Sequence, residues 1–357
     1  MVNGKLGAAV IGYGGMGSWH VRKMTEQLTD DIEFIGIYDI KPERAQAANE
    51  NGIFAFESRE ALLSDERIDF VVVATPNDFH REIAIDAMKH GKNVISEKPV
   101  AMNSEELEEM IAASEKYGKI FTVHQNRRWD PDYLTVKKIY EAGTLGRVFD
   151  IESRVHGSRG VPGDWRNHKE HGGGMVFDWG IHVIDQALML TEGRKIKSLY
   201  AQTYEITTDD VDDGFKLELK FEGGLNFHVE VGTSNFIELP RWYMLGENGS
   251  AVISDWDLNG EIVMVSDWEN KDAVPVQAGV GLTKTMAPRN DDSIAKYPLP
   301  YVENKGFSDR SEFYRNFIAT LRGEETQAVT HDQQRRLMRL VEAIFESAKE
   351  NKVIYFE

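Results

Sequence analysis

Three groups of residues in this chain have types and spacings suited to chemistry. Gly12, Gly14 and Gly17 fit G-x-G-x-x-G within the run Ala9-Val-Ile-Gly12-Tyr13-Gly14-Gly15-Met16-Gly17. The first glycine permits a tight turn, the second lets backbone approach a pyrophosphate, and the third lets helix and strand pack closely. A helix beginning there offers unpaired N–H groups and about half a positive charge to an anion. Asp39-Ile40 follow a second apolar run, with Asp39 standing 39 − 17 = 22 residues past Gly17. A carboxylate at such a strand tip accepts both hydroxyls of an adenosine ribose and repels a 2′-phosphate, which favours NAD over NADP. A glycine turn in an ordinary α/β domain would carry the glycines without that strand, helix and acid.

The second group is Glu97-Lys98-Pro99, where the chain must turn at the end of an apolar run. An ammonium there can fix a substrate oxygen and stabilise developing alkoxide charge; it can equally contact a phosphate or pair with Glu97. The third is Asp178 and His182, four residues apart in Gly172-Gly-Gly-Met-Val-Phe-Asp178-Trp-Gly-Ile-His182. On a helix they share a face. An imidazole beside a carboxylate is an oriented general base, and its ordinary pKa near 6.5 suits proton removal at neutral pH. A solvated helix surface would show the same spacing. Other histidines are less specific. His20 and His80 suit either cofactor proximity or packing, and His168 and His171 flank a polar Lys169-Glu170 with no third ligand identifiable, so no metal is expected. Trp165-Arg166 reads as a clamp on cofactor or substrate, or as an apolar anchor beside a surface base.

The elements that position these groups alternate in the first third. Strands are expected at Leu6–Ile11, Ile32–Tyr38, Gly52–Phe56, Ile68–Ala74, Asn93–Pro99 and Lys119–His124. Helices are expected at Met16–Leu28, Lys41–Asn51, Arg59–Ser64, Asp78–His90 and Ser104–Tyr117, the last with Ser104 as its N-cap and Gly118 as its stop. That is a parallel sheet covered on both faces, with ligands at the carboxyl ends of its strands. Gly12, Asp39, Thr75-Pro76-Asn77, Glu97-Lys98 and Gln125 therefore converge on one crevice. From Arg127 the rhythm changes. Helices at Tyr133–Ala142 and Met175–Leu190 are followed by close-spaced strands at Ser198–Ile206, Phe215–Phe221, Leu225–Val231, Arg241–Leu245, Ala251–Ser254 and Ile262–Val265, joined by turns such as Glu222-Gly-Gly224 and Glu247-Asn-Gly249. Residues 270–306 hold four of the ten prolines and no clear period, and two helices, Ser311–Arg322 and Asp332–Asn351, finish the chain.

Composition narrows the partners. The 357 residues suggest two domains, and 41% hydrophobic content suffices for their cores. Acids exceed bases by 59 − 41 = 18, a field hostile to nucleic acid and anionic membranes. No apolar run approaches the roughly 20 residues of a membrane span. The absence of cysteine excludes disulfides and thiolate chemistry and fits a reducing cytoplasm. The N-terminus runs straight into the first strand, leaving no room for a signal peptide.

Together the glycine loop, Ala74-Thr75-Pro76-Asn77, Glu97-Lys98-Pro99, Gln125-Asn126-Arg127, Asp164-Trp165-Arg166, Gly172-Gly-Gly and Asp178-x-x-x-His182 resemble the glucose–fructose oxidoreductase and inositol dehydrogenase family, Gfo/Idh/MocA. The resemblance covers roughly residues 5–190. It implies an α/β architecture: an N-terminal Rossmann dinucleotide-binding domain (1–126) plus a C-terminal α+β domain (127–357) whose large, mostly antiparallel open sheet assembles a homodimer or homotetramer. Lys98, Asp178 and His182 match the family's catalytic trio. NAD is the implied cofactor, bound by the residues Gly12 to Gly17, Asp39, Ile40, Thr75, Pro76, Asn77, His80, Glu97, Lys98, Gln125, Trp165 and Arg166. A small neutral sugar or polyol is the implied substrate, met by Lys98, Arg127, Trp165, Asp178, Trp179 and His182. The run Asn126-Arg-Arg-Trp-Asp is most similar to members acting on inositols, whereas Trp179 replaces the usual smaller aliphatic residue, suiting a stacking wall for a sugar ring or plain packing. Two further readings stand beside the dehydrogenase: a tightly held NAD recycled in oxidoreductase or glycosidase chemistry, and a non-catalytic regulator.

Overall fold

A computed structural model describes residues 4–266, 277–279, 282–283, 289, 291–302 and 311–356. The first domain runs β1 (Leu6–Ile11), α1 (Gly15–Glu26), β2 (Ile32–Tyr38), α2 (Pro42–Glu50), α3 (Arg59–Ser64), β3 (Phe70–Val73), α4 (His80–Lys89), β4 (Asn93–Ser96), α5 (Ser104–Tyr117) and β5 (Phe121–Val123). Its five strands pair in the order β2-β1-β3-β4-β5, all parallel. Every residue of β1 and β3 is buried, which explains why they read as continuous apolar runs rather than alternating ones.

Two expectations fail here. Residues 52–56 form no strand: they touch the edge of β2 once, where Ile37 N–H donates to Phe54 O at 2.9 Å and Phe56 N–H to Ile37 O at 2.8 Å. The chain then turns away, because Ser58 caps α3 by accepting from Ala61 N–H. The sheet therefore has five strands, not six. The cap of α5 is Asn103, whose side chain accepts from Glu106 N–H at 2.9 Å. Ser104 instead binds Glu342 through its amide and hydroxyl.

The second domain comprises α6 (Pro131–Glu141), β6 (Val148–His156), a π-helical turn Val176–Gly180 running into α7 (Ile181–Leu190), β7 (Ile196–Tyr204), β8 (Gly214–Phe221), β9 (Asn226–Gly232), β10 (Trp242–Gly246), β11 (Gly249–Ile253), β12 (Gly260–Val265), the short pair β13 (Gln277–Gly279) and β14 (Leu282–Thr283), β15 (Ile294–Pro298), α8 (Ser311–Leu321), α9 (His331–Glu350) and β16 (Ile354–Tyr355). Nine strands form one sheet in the order β15-β12-β11-β10-β6-β9-β8-β7-β16, antiparallel except for β6 beside β9. Strand β8 shows why the sheet has one open face: Phe215, Leu217, Leu219 and Phe221 are buried while Lys216 and Lys220 point outward. Helices α7 and α9 cover the buried face. Both edge strands escape the periodicity. Strand β15 sits inside the segment 270–306, most of which lies outside the described residues, and is largely exposed; β16 is two residues long. Among the described residues no helix is long and apolar enough to cross a membrane.

The two C-terminal helices return to the first domain. Phe317 of α8 meets Phe70 of β3 edge-on with ring centroids 5.2 Å apart, and Arg335 of α9 pairs with Glu108 of α5 at 2.7 Å. The connection between the domains is held by Arg128, which forks onto both oxygens of Asp185 in α7 at 2.7 Å and donates to Ala328 O. This pair is buried, so removing the cation strands a carboxylate in the core. Arg128→Ala is expected to lower unfolding free energy by about 3–5 kcal/mol, read from urea denaturation; a loss near zero would show the pair to be dispensable.

Candidate active site

The loop between β1 and α1 is shaped by sterics. Gly12 has φ +94°, and a Cβ on it would lie 2.5 Å from Ala74 O; one on Gly17 would lie 1.9 Å from Gly12 O. Gly17 thus serves the close packing of helix on strand. Gly14 is the N-cap of α1 and brings no side-chain cap, which leaves first-turn N–H groups for a ligand. Asp39, at the end of β2, is fixed by two backbone amides: Tyr13 N–H donates to Oδ2 at 2.6 Å and Lys41 N–H to Oδ1 at 2.9 Å.

These elements open onto a cleft of about 790 Å³ at the carboxyl ends of the strands. Of the expected cofactor residues, Gly12, Gly14, Gly15, Met16, Asp39, Ile40, Thr75, Pro76, Asn77, Glu97, Lys98, Trp165 and Arg166 line it. Tyr13, Gly17, His80 and Gln125 are not among its lining residues. Tyr13 acts through its amide on Asp39. His80 is fully buried and braces the cleft from behind, its ring nitrogens lying 2.9 Å from Pro99 O and 3.0 Å from Thr75 O; burial pulls its pKa down against those carbonyls. Gln125 is buried with neither amide atom hydrogen-bonded among the described residues, and Thr75 Oγ1 is likewise unsatisfied. Buried polar atoms of this kind are normally partnered; of the two residues only Thr75 lines the cleft, where a bound dinucleotide can reach its hydroxyl.

Sequence reading missed Lys41, Arg44 and Arg59 on the adenosine side of the cleft, and Phe79 and His171 on the other. Arg44 lies against Gly14, since a Cβ there would come within 2.5 Å of its Nη1. A basic residue five positions past the acid was the available signal. His171 is held by Asp78 at 3.0 Å. His168 does find carboxylates, Glu170 and Asp210, with ligand atoms within 4.8 Å of one another, but all three are exposed, and Asp210 already accepts from Lys169 N–H.

Two of the three catalytic candidates, Lys98 and Asp178, meet beside the cleft, which Lys98 lines and Asp178 and His182 do not. Lys98 donates from Nζ to Asp178 Oδ1 at 3.0 Å and to Asp178 O at 3.1 Å. Arg166 reaches the same carboxylate oxygen at 3.4 Å while stacking on Trp165. Burial pushes the Asp178 carboxyl up, but Lys98 and Arg166 outweigh it and hold the pKa below the usual range. The expected regular helix Met175–Leu190 is thus corrected: it opens as a π-turn, wider than an α-turn, that aims Asp178 at cations of other elements. The turn sits tightly on the sheet, a Cβ on Gly180 meeting the Phe215 ring at 2.8 Å. Asp212, also missed, ties the turn down by accepting from Val176 N–H at 2.8 Å; burial raises its pKa to about 7. His182 follows on the first turn of α7 and is 6% exposed. Arg127 and Trp179 pack on each other, guanidinium over ring at 4.1 Å, and Trp179 also contacts Trp256.

A Rossmann cleft completed by a lysine and a second-domain carboxylate defines a dinucleotide-dependent oxidoreductase. Two family profiles match the chain: the oxidoreductase family, NAD-binding Rossmann fold, over residues 6–125, and the GFO/IDH/MocA C-terminal domain over residues 133–252. The chain belongs to the Gfo/Idh/MocA family, and its first domain is an NAD-binding Rossmann domain. It is similar to an NAD-binding protein of Listeria innocua, 44% identical, with TM-score 0.93 and 99% of each chain covered. It is also similar to an uncharacterized oxidoreductase of Schizosaccharomyces pombe, 37% identical over 50% of this chain and 49% of that protein, so the match spans about half of that relative. The scyllo-inositol 2-dehydrogenase (NADP(+)) of Bacillus subtilis is 26% identical over 98% of this chain and 95% of its own length.

Asp39, held rigid by two amides at the adenosine end, is expected to discriminate against a 2′-phosphate. Asp39→Ala should move the NAD to NADP ratio of kcat/KM toward NADP; an unchanged ratio would mean that Asp39 does not meet the ribose.

Proposed function

We propose that the chain is an NAD-dependent dehydrogenase acting on a secondary alcohol of a cyclic polyol or sugar: an inositol, a pyranose or a glycoside. The observation that carries this reading is the 3.0 Å contact of Lys98, which lines the dinucleotide cleft, with Asp178. It joins a cation from the nucleotide-binding half to an acid from the other half, one turn from His182. The amides around Gly14 and Gly15 and the carboxylate of Asp39 are suited to hold the diphosphate and ribose, and Thr75 in the cleft wall has a hydroxyl left to satisfy. The nicotinamide, when bound, supplies the hydride-accepting carbon.

The chain's own residues then have distinct tasks in oxidation. Lys98 holds the reacting oxygen and favours its alkoxide form. His182 takes the hydroxyl proton. Asp178, kept ionised by Lys98 and Arg166, fixes the ammonium and accepts from a neighbouring hydroxyl. Trp165 and Arg166 close the cleft, and Trp179 with Arg127 forms a flat wall on the second-domain side, suited to the C–H face of a ring. Assembly into a homodimer or homotetramer is proposed through the open face of the nine-stranded sheet, where Lys216 and Glu230 pair in strand register and His228 reaches diagonally to Asp150. Light scattering on the purified chain reads this, and a monomer would overturn it.

Incubation with NAD and a panel of myo-inositol, scyllo-inositol, D-glucose and methyl glucosides should release NADH stoichiometrically with at least one of them. His182→Ala should cost roughly 10²–10⁴-fold in kcat at unchanged NAD affinity. Net conversion without NADH release would instead indicate a recycled cofactor, and full turnover by the variant would remove His182 from its role.

A further inference from the structure

Behind Lys98 lies a polar cluster that this mechanism does not use. His20 of α1, Glu97 at the end of β4, His124 at the end of β5 and Tyr314 of α8 converge in the core, none more than 5% exposed. Glu97 Oε1 accepts from His20 Nε2 at 2.8 Å and from His124 Nδ1 at 2.7 Å. The other oxygen, Oε2, accepts from the backbone N–H of Lys98 at 3.1 Å. The Tyr314 hydroxyl meets His20 Nδ1 at 2.5 Å.

The protonation pattern follows from donor and acceptor roles. An ionised carboxylate only accepts, so both imidazole atoms facing Glu97 carry hydrogen. With Nε2–H committed, Nδ1 of a neutral His20 accepts the Tyr314 O–H, and the tyrosine thereby selects the tautomer. Burial alone would raise the Glu97 pKa, but the two histidines outweigh it and hold the carboxyl well below its usual range. One ligand atom from each of His20, Glu97 and His124 lies within 4.8 Å of the others, a spacing that the two short imidazole–carboxylate hydrogen bonds account for. A buried charge is not required to fill a core, and apolar groups of the same volume serve stability as well or better. What this charge does that an apolar group could not is grip the amide of Lys98.

We propose that Glu97, His20 and Tyr314 are positioning residues that hold Lys98, and that they make the seat of α1 and the stance of the lysine a single rigid unit. His20 rides on the helix whose first turn faces the diphosphate position, while Tyr314 ties the cluster to the C-terminal helix α8. The proposal rests on the reading of Lys98 as the group that holds the reacting oxygen, and its test is independent of any substrate. The rate of Lys98 acetylation by acetic anhydride is measured on the full chain by peptide mass spectrometry, with Lys197 and Lys220 as remote references. Tyr314→Phe and His20→Leu should release the ammonium from Asp178 and raise Lys98 labelling roughly three- to tenfold, the equivalent of about one net hydrogen bond, with the references unchanged. His20→Gln, whose amide replaces the Nε2–H donor, should stay near the parent rate. With any polyol that supports turnover, kcat should fall in the first two variants while KM for NAD holds. Tyr314→Phe loses a single oxygen, so it decides the matter even if His20→Leu does not fold. Unchanged Lys98 labelling in Tyr314→Phe overturns the proposal, and it does so whether or not the chain oxidises a polyol.

Discussion

The contact on which the rest of the molecule turns is the one between the Lys98 ammonium and the Asp178 carboxylate. Each partner comes from a different domain, and neither is useful alone: a lysine at a strand tip is a generic cation, and an aspartate on a helix is a generic acid. Brought within hydrogen-bonding distance in a largely dry place, the pair becomes a charged edge against which an alcohol oxygen can be set. Such a pair is stable only if both main chains are held, because a long side chain otherwise loses more entropy than a partly buried ion pair returns. Much of the surrounding architecture serves that end. The loops at Thr75 and Pro99 share His80 as a brace, Glu97 grips the Lys98 amide, and Asp212 pins the π-turn.

The domain junction shows the same logic at larger scale. Arg128 with Asp185, and Arg241 with Asp132 at 3.0 Å, are buried ion pairs; Trp242 Nε1 donates to the same Asp132 at 2.8 Å. Buried pairs of this kind add little net stability relative to well-packed apolar groups, but they penalise any arrangement that separates the partners. Here they fix α6 on the sheet and α7 on the turn at 126–129 that joins the domains, and so fix the direction from which the π-turn approaches the cleft. The nine-stranded sheet is a back wall, and the turn packs on it at Gly180 and Phe215 where there is no room for one methyl group.

Local signals were legible wherever sterics or periodicity act over a few residues. The glycine loop, the fully buried strands β1 and β3, and the alternation of β8 all have residue patterns that few other conformations accept. Elements that depend on a neighbour were not legible. Residues 52–56 are apolar enough for a strand but face an edge they touch once, Asn103 rather than Ser104 caps α5 because Ser104 is recruited by Glu342 of a distant helix, and the edge strands β15 and β16 are too exposed or too short to show a period. In the site, Gly12 through Met16, Asp39, Thr75 and Lys98 were placed by the rule that ligands gather at strand carboxyl ends. Glu97 was placed by the same rule and lines the cleft, while its carboxylate also turns inward to His20 and His124; His80, read as cofactor-proximal or packing, bonds two carbonyls behind the cleft.

By itself the sequence determined the class of each half, because a glycine loop, a buried strand and an acid at its tip are consequences of local backbone geometry. It also determined which side chains were chemically able to act. Only the tertiary structure decided how they act on one another. Asp178 turned toward Lys98 and Arg166 because a π-turn, seated on Phe215 and tied to Asp212, rotates it away from a simple helix face, and His20, Glu97, His124 and Tyr314 met because four elements separated by up to 294 residues pack around one carboxylate. Contacts across such separations depend on how whole surfaces fit, and no window of sequence contains them.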